Sequence, residues 1–165
     1  MKIAYLHGLE SNNIGPKNDW LRTIADIYDP LIDYKKPGIY QDIKEDVIAL
    51  QPDLLVGSSM GGYFSYTLAK ELNIPAVLFN PALHSRSMQP DMQGNESAAY
   101  KPKMCLIFGE KDEIIDPYKT IALIAPEGYD AGNFVMLPHG HKTDFALFKK
   151  AVGDFIHNKF FFVSD

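Results

Sequence analysis

Short apolar runs alternate along the chain with longer stretches of helical period. "KIAYLHG" (2–8) reads as a strand at the very start. In "KNDWLRTIADIY" (17–28), Trp20, Leu21, Ile24, Ala25 and Tyr28 fall on one helical face, and Asp29-Pro30 ends the run, so the pattern predicts a helix. "PLIDY" (30–34) reads as a short strand. "YQDIKEDVIALQ" (40–51) places Ile43, Val47, Ile48 and Leu50 at helical spacing ahead of Pro52. "DLLVG" (53–57) is apolar at nearly every position, as expected of a strand covered on both faces. A helix over "GGYFSYTLAKEL" (61–72) and a strand over "PAVLFN" (75–80) follow. After an aperiodic, turn-rich stretch come a strand in "KMCLIFGE" (103–110), a helix in "DPYKTIALIA" (116–125) and a strand in "NFVMLP" (133–138). "TDFALFKKAVGDFIHNKF" (143–160) closes the chain as an amphipathic helix.

About six strands alternating with about five helices predict an α/β fold, a mainly parallel sheet with helices on both faces. At 165 residues the chain is expected to form a single domain, residues 1–165, with a sizeable core. Function in such sheets collects where loops leave the carboxyl ends of the strands. The polar residues just after each strand are therefore the ones to weigh.

Charge and cysteine content narrow the options. With 16 basic against 21 acidic residues the net charge is −5, and no basic stripe offers itself to phosphates, so nucleic acid is not expected as the partner. The single cysteine, Cys105, has no internal disulfide partner and reads as a small buried strand residue. "MKIAYLHGLE" is too short an apolar run for a signal peptide, and no segment reaches the length of a membrane span. A reducing cytoplasm is the default location.

Behind the "DLLVG" strand stands Gly57-Ser58-Ser59-Met60-Gly61-Gly62. Only Ser59 has a glycine two residues before it and two after; Ser58 has Val56 and Met60 in those places. A nucleophile on a sharp strand-to-helix turn needs small neighbours, because the backbone passes close to itself on both sides. The turn also sets the hydroxyl at a helix amino terminus, where negative charge is favoured. Ser59 is thus the candidate nucleophile.

Serine needs a base. Of five histidines, His139 and His141 follow the last strand in "VMLPHGHKTDF". His141 is favoured because it stands directly before the closing helix, whereas His139 follows Pro138 and completes the strand end. The acid is sought after the "KMCLIFGE" strand, in "GEKDEIIDPY". Asp116 precedes Pro117 and is explained as a helix N-cap. Asp112 has no such explanation and is the candidate for holding the imidazole tautomer. Two backbone amides complete the set as an oxyanion site, that of Met60 after the nucleophile and that of Leu9 in the loop "LHGLES". His7, in the same loop, reads as structural.

With these positions filled, "YLHGLES", "GSSMGGYF", "LFNPAL", "GEKDEIID" and the histidine before the last helix together resemble the α/β-hydrolase superfamily, more narrowly its small bacterial esterases of the YqiA type. The resemblance extends over nearly the whole chain. It implies a compact α/β-hydrolase fold with no large cap domain. It also implies a Ser–Asp–His triad of Ser59, Asp112 and His141, hydrolysing small acyl esters or thioesters through an acyl-enzyme without metal or organic cofactor. Peptide or lactone bonds stay open as alternatives, as does a non-catalytic binding domain of the same fold. The stretch from Leu83 to Tyr100 is the only lid candidate, and is too short for a large cap. Met88, Met92 and Tyr100 are placed either to line a shallow pocket beneath it or simply to pack.

Overall fold

The computed structural model describes residues 1–96 and 100–158. Its order is β1 (Lys2–Leu6), α1 (Pro16–Ile24), β2 (Asp26–Tyr28), α2 (Ile39–Leu50), β3 (Leu54–Ser58), α3 (Met60–Leu72), β4 (Ala76–Phe79), β5 (Met104–Gly109), α4 (Pro117–Ile124), a single 3₁₀ turn, β6 (Phe134–Leu137) and α5 (Phe145–Ile156). The six strands form one sheet in the order β2-β1-β3-β4-β5-β6, and every neighbouring pair is parallel. No helix among the described residues is long and apolar enough to cross a membrane.

Alternation along the strands divides the core in two. Ala4, Leu6, Leu55, Leu78, Leu106 and Phe108 face α2, α3 and α4, whereas Ile3, Tyr5, Val56, Val77, Phe79 and Ile107 face α1 and α5. Burial on both faces explains why these strands read as continuous apolar runs. The stacked rings of Phe79 and Phe148, centroids 4.9 Å apart, fasten α5 to the sheet centre.

The second strand lies earlier than the periodicity predicts. The helix expected over 17–28 stops at Ile24, and Asp26, Ile27 and Tyr28 pair in parallel with Lys2, Ile3 and Ala4. Tyr28 continues the helical pattern by coincidence; the parallel pairing along β1 overrides the local periodicity. The "PLIDY" stretch is no strand. It is coil in which Ile32 and Tyr34 are buried: Ile32 donates its N–H to His7 Nε2 (2.9 Å), and the Tyr34 hydroxyl donates to the His7 carbonyl. Its apolar character reflects packing, not pairing. The closing helix begins at Phe145 rather than residue 143, and residues 159 and 160 of the predicted stretch lie outside the described residues.

The later part of the lid candidate, residues 91–96, is a strap. Asp91 accepts from the Gly38 N–H (2.7 Å), Gly94 accepts from Lys44 Nζ (2.9 Å), and Glu71 accepts from the Glu96 N–H (2.8 Å), so the segment is tied down onto α2 and α3. Met88 and Met92 pack against the core, and Tyr100 is exposed. Residues 97–99 of the candidate lie outside the described residues.

One topological feature locates the site. Strands β1 and β3 are neighbours, yet the chain leaves β1 toward the α1 face and leaves β3 toward the α3 face. The two connections diverge and open a crevice at the carboxyl end of the sheet, the usual place for ligands in an open parallel sheet.

Candidate active site

Ser59 sits at that crevice, between β3 and α3, with φ 51° and ψ −113°. A non-glycine residue at positive φ is strained and persists only where its surroundings over-determine it. Here they do. The Ser59 N–H donates to the Phe79 carbonyl (2.9 Å), and the Ser59 carbonyl accepts from Tyr63 and Ala82, each at 3.0 Å. The flanking glycines have steric reasons. A Cβ on Gly57 would lie 2.5 Å from the Gly61 carbonyl oxygen, and one on Gly61 would lie 2.0 Å from that of Leu6.

Ser59 Oγ lies 3.0 Å from His141 Nε2, and His141 Nδ1 lies 2.8 Å from Asp112 Oδ2. The other Asp112 oxygen accepts from the N–H groups of Ile114 (2.8 Å) and Ile115 (2.9 Å). A carboxylate is an acceptor only, and this one already accepts two backbone N–H bonds. The network therefore assigns the proton to His141 Nδ1 and leaves Nε2 free to accept from the serine. Beside it, the Met60 amide is the first of α3, an orphan donor by helix geometry, and the Leu9 amide donates to no described residue.

His139 does not join this chain. Its Nδ1 lies 2.6 Å from the Gly140 carbonyl oxygen, and its own carbonyl accepts from the Lys111 N–H (3.0 Å). Asp116 caps α4, accepting from Tyr118 and Lys119. His7 is 1% exposed, with Nε2 accepting from Ile32 and Nδ1 2.7 Å from the Gly8 carbonyl oxygen. Burial lowers its pKa, which suits a neutral ring that must accept at Nε2. The Cys105 thiol is pushed by burial up to about 12, so it is no nucleophile. Among the described residues no group of three or more His, Cys, Asp or Glu side chains is placed to hold a metal ion.

Two cavities meet at Ser59. The larger, about 580 Å³, runs between the connection 8–18 and residues 141–143, with Tyr5 and Phe79 also in its wall. The smaller, about 220 Å³, lies toward residues 85–87 and shares Leu9, Ser59, Ser87 and Ile114 with the larger. The main wall is thus the β1–α1 connection. Met88, Met92 and Tyr100 line neither cavity.

Comparison with known proteins places the chain. The model of the uncharacterised protein family UPF0227 matches residues 2–106. The chain belongs to UPF0227. The matched region carries Leu9, Ser59 and Met60 and ends before Asp112 and His141. No curated protein matches this UPF0227 sequence. Solved structures do. A protein of the α/β hydrolase superfamily from Xanthomonas campestris pv. campestris superposes with a TM-score of 0.68 at 21% identity, over 95% of this chain and 96% of that one. Esterase PE8 gives 0.63 at 14% identity over 95% and 91%. A variant of SOBER1 from Arabidopsis thaliana gives 0.63 at 16% identity over 96% and 99%. The UPF0227 chain therefore has the α/β-hydrolase fold, and the resemblance read from its motifs holds for family and fold.

The UPF0227 site also contains a residue that sequence reasoning passed over. Asn80, at the end of β4, is 2% exposed and has φ 43°. Its Oδ1 accepts from the Gly109 N–H (2.7 Å), at the end of β5, and its Nδ2 donates to the carbonyl oxygens of His141 (2.7 Å) and Gly140 (3.4 Å). One side chain thus joins the strand that leads to Asp112 and the loop that carries His141. The signal was an asparagine directly after an apolar strand in "LFNPAL", a place where positive φ is tolerated by few other residues. From α1, Lys17 Nζ reaches the Thr143 carbonyl (2.6 Å) and holds the same loop from its other side.

Proposed function

We propose that this protein is a serine hydrolase of small acyl esters or thioesters, with Ser59 as nucleophile, His141 as general base and acid, and Asp112 as the group that orients the imidazole. The observation that carries this reading is the unbroken hydrogen-bonded path from Ser59 Oγ through His141 to Asp112. The strained backbone at Ser59 and the unengaged amides beside it support the same role, as do structural neighbours that are named esterases.

In the first half-reaction Ser59 Oγ bonds to the acyl carbon while its proton passes to His141 Nε2. The carbonyl oxygen becomes an oxyanion held by the amides of Leu9 and Met60, typically worth about 3 kcal/mol each in barrier. Collapse expels the alcohol or thiol, which takes the proton from His141. Water then attacks the acyl-enzyme, its proton goes to Nε2, and the acid leaves as Ser59 recovers the proton. Asp112 orients the imidazole and stabilises the transient imidazolium. Asn80 and Lys17 act indirectly by holding the backbone of the histidine loop.

Labelling with a fluorophosphonate probe tests the reading. The unmutated protein is expected to label at Ser59, with loss of label in Ser59→Ala. An unlabelled native protein, or equal labelling of the variant, returns the fold to the status of a binding domain.

A further inference from the structure

The smaller cavity has a chemistry of its own. Arg86 lies in its wall beside Ser85 and Ser87, and the cavity floor is shared with Ser59, Met60 and Leu9. The guanidinium is fixed before any ligand arrives. Nη1 donates to the carbonyls of Ala82 (2.6 Å) and Leu83 (2.8 Å), Nε donates to Gln89 (3.2 Å), and the group lies 4.1 Å over the Tyr63 ring. That uses three of the five N–H donors and leaves the two on Nη2 without a partner among the described residues. The side-chain polar groups lining this cavity are the guanidinium and serine hydroxyls; no carboxylate is among them.

Charge around the site runs against the charge of the chain. The charged side chains lining the two cavities are Lys17, Lys142 and Arg86, with Glu10 the one carboxylate, in a chain with 21 acidic and 16 basic residues. A concave site lined by cations concentrates anionic substrates and orients them before reaction. A planar, preorganised guanidinium recognises a carboxylate with two parallel hydrogen bonds, at lower entropy cost than a free lysine.

We propose that the substrate is an ester or thioester bearing a carboxylate on one of its arms, and that Arg86 receives that carboxylate in the smaller cavity while the other arm occupies the larger one. This rests on the serine-hydrolase reading and specifies its substrate class. About 220 Å³ admits a short carboxylate-tipped arm. The neutral remainder meets Tyr5, Leu9 and Phe79 in the larger cavity. The carboxylate belongs to either the acyl or the leaving-group arm, and substrate pairs separate the two.

The test compares kcat/KM of the full chain on matched pairs. Mono-p-nitrophenyl adipate against p-nitrophenyl hexanoate places the charge on the acyl arm; meta-butyryloxybenzoate against phenyl butyrate places it on the leaving group. One pair is expected to show a preference for the anionic member of about tenfold or more, the size of a charged hydrogen bond, and Arg86→Gln is expected to reduce that ratio by about tenfold. Arg86→Lys, which keeps the charge but not the fork, is expected to fall between them. Native protein supplies a check that needs no variant: the preference should shrink as salt rises from about 0.05 to about 0.5 M. A labelled, ester-cleaving protein with no anionic preference in either pair, or one whose preference ignores both salt and Arg86, overturns this proposal alone. Absence of fluorophosphonate labelling overturns the serine-hydrolase reading and takes this one with it.

Discussion

The proposed nucleophile and the proposed base are held in place by different means. On the Ser59 side the backbone does the holding: Gly61 lets the chain pass within contact of Leu6 and His7, Gly57 lets it pass Gly61 itself, and main-chain bonds to Phe79, Tyr63 and Ala82 fix a strained φ. On the His141 side long-range side chains hold a loop with no regular structure, Asn80 from β4, Lys17 from α1 and Asp112 from the β5 loop. The first arrangement is steric and all-or-none. The second is built from separable hydrogen bonds and should degrade by steps.

Removal of the reacting atom sets the scale. Ser59→Ala should lower kcat by about 10⁴ or more and abolish probe labelling, whereas Ser58→Ala should stay within about tenfold. Breaking the steric half should cost the fold itself. Gly61→Ala puts a methyl against a backbone oxygen that cannot retreat, so a loss of about 3 kcal/mol or more is expected in urea unfolding, or failure to fold.

Breaking the hydrogen-bonded half should cost rate before stability. Asn80→Ala is expected to lower kcat about 10- to 100-fold with little change in KM, because a misplaced base costs roughly that much. Circular dichroism should stay native. Equal losses in kcat and in the folded fraction would instead make Asn80 a packing residue and erase the distinction between the halves.

The smallest effect sharpens the contrast at the boundary, where His7 lies in the proposed oxyanion loop. Its folded pKa is lowered by burial, so folding favours the neutral ring. Stability from this group is fully present above the unfolded value of about 6.5 and is lost as pH falls through the lower folded value. Thermal melts should therefore decline below that pH, and His7→Gln, which keeps an acceptor for Ile32, should flatten the decline. A native protein with no such slope would show that His7 is not a titrating clamp.

This division also explains what could be read in advance. The glycine spacing around Ser59 and the apolar strands are local signals, legible because their causes lie within a few residues. The candidate acid and base are sought from strand order, after the last two strands. Asn80 carried a local signal for its backbone but none for its partners, and Lys17 carried none at all, since the carbonyls they hold are 61 and 126 residues away in the sequence. The misplaced second strand has the same origin: Asp26, Ile27 and Tyr28 satisfy a helical pattern, and only β1 alongside makes them a strand. Among the described residues of the lid candidate only 85–87 reach the cavities, because turn-rich composition marks irregular chain but not where it goes.

The main wall of the larger cavity is the β1–α1 connection, a stretch that leaves the sheet at His7 and rejoins regular structure at Pro16. None of the three proposed triad side chains belongs to it. Lengthening or shortening it beyond Leu9 would resize the larger chamber and leave the reacting groups where they stand. Substrate range in proteins of this architecture can therefore drift by loop replacement while the chemistry is inherited unchanged.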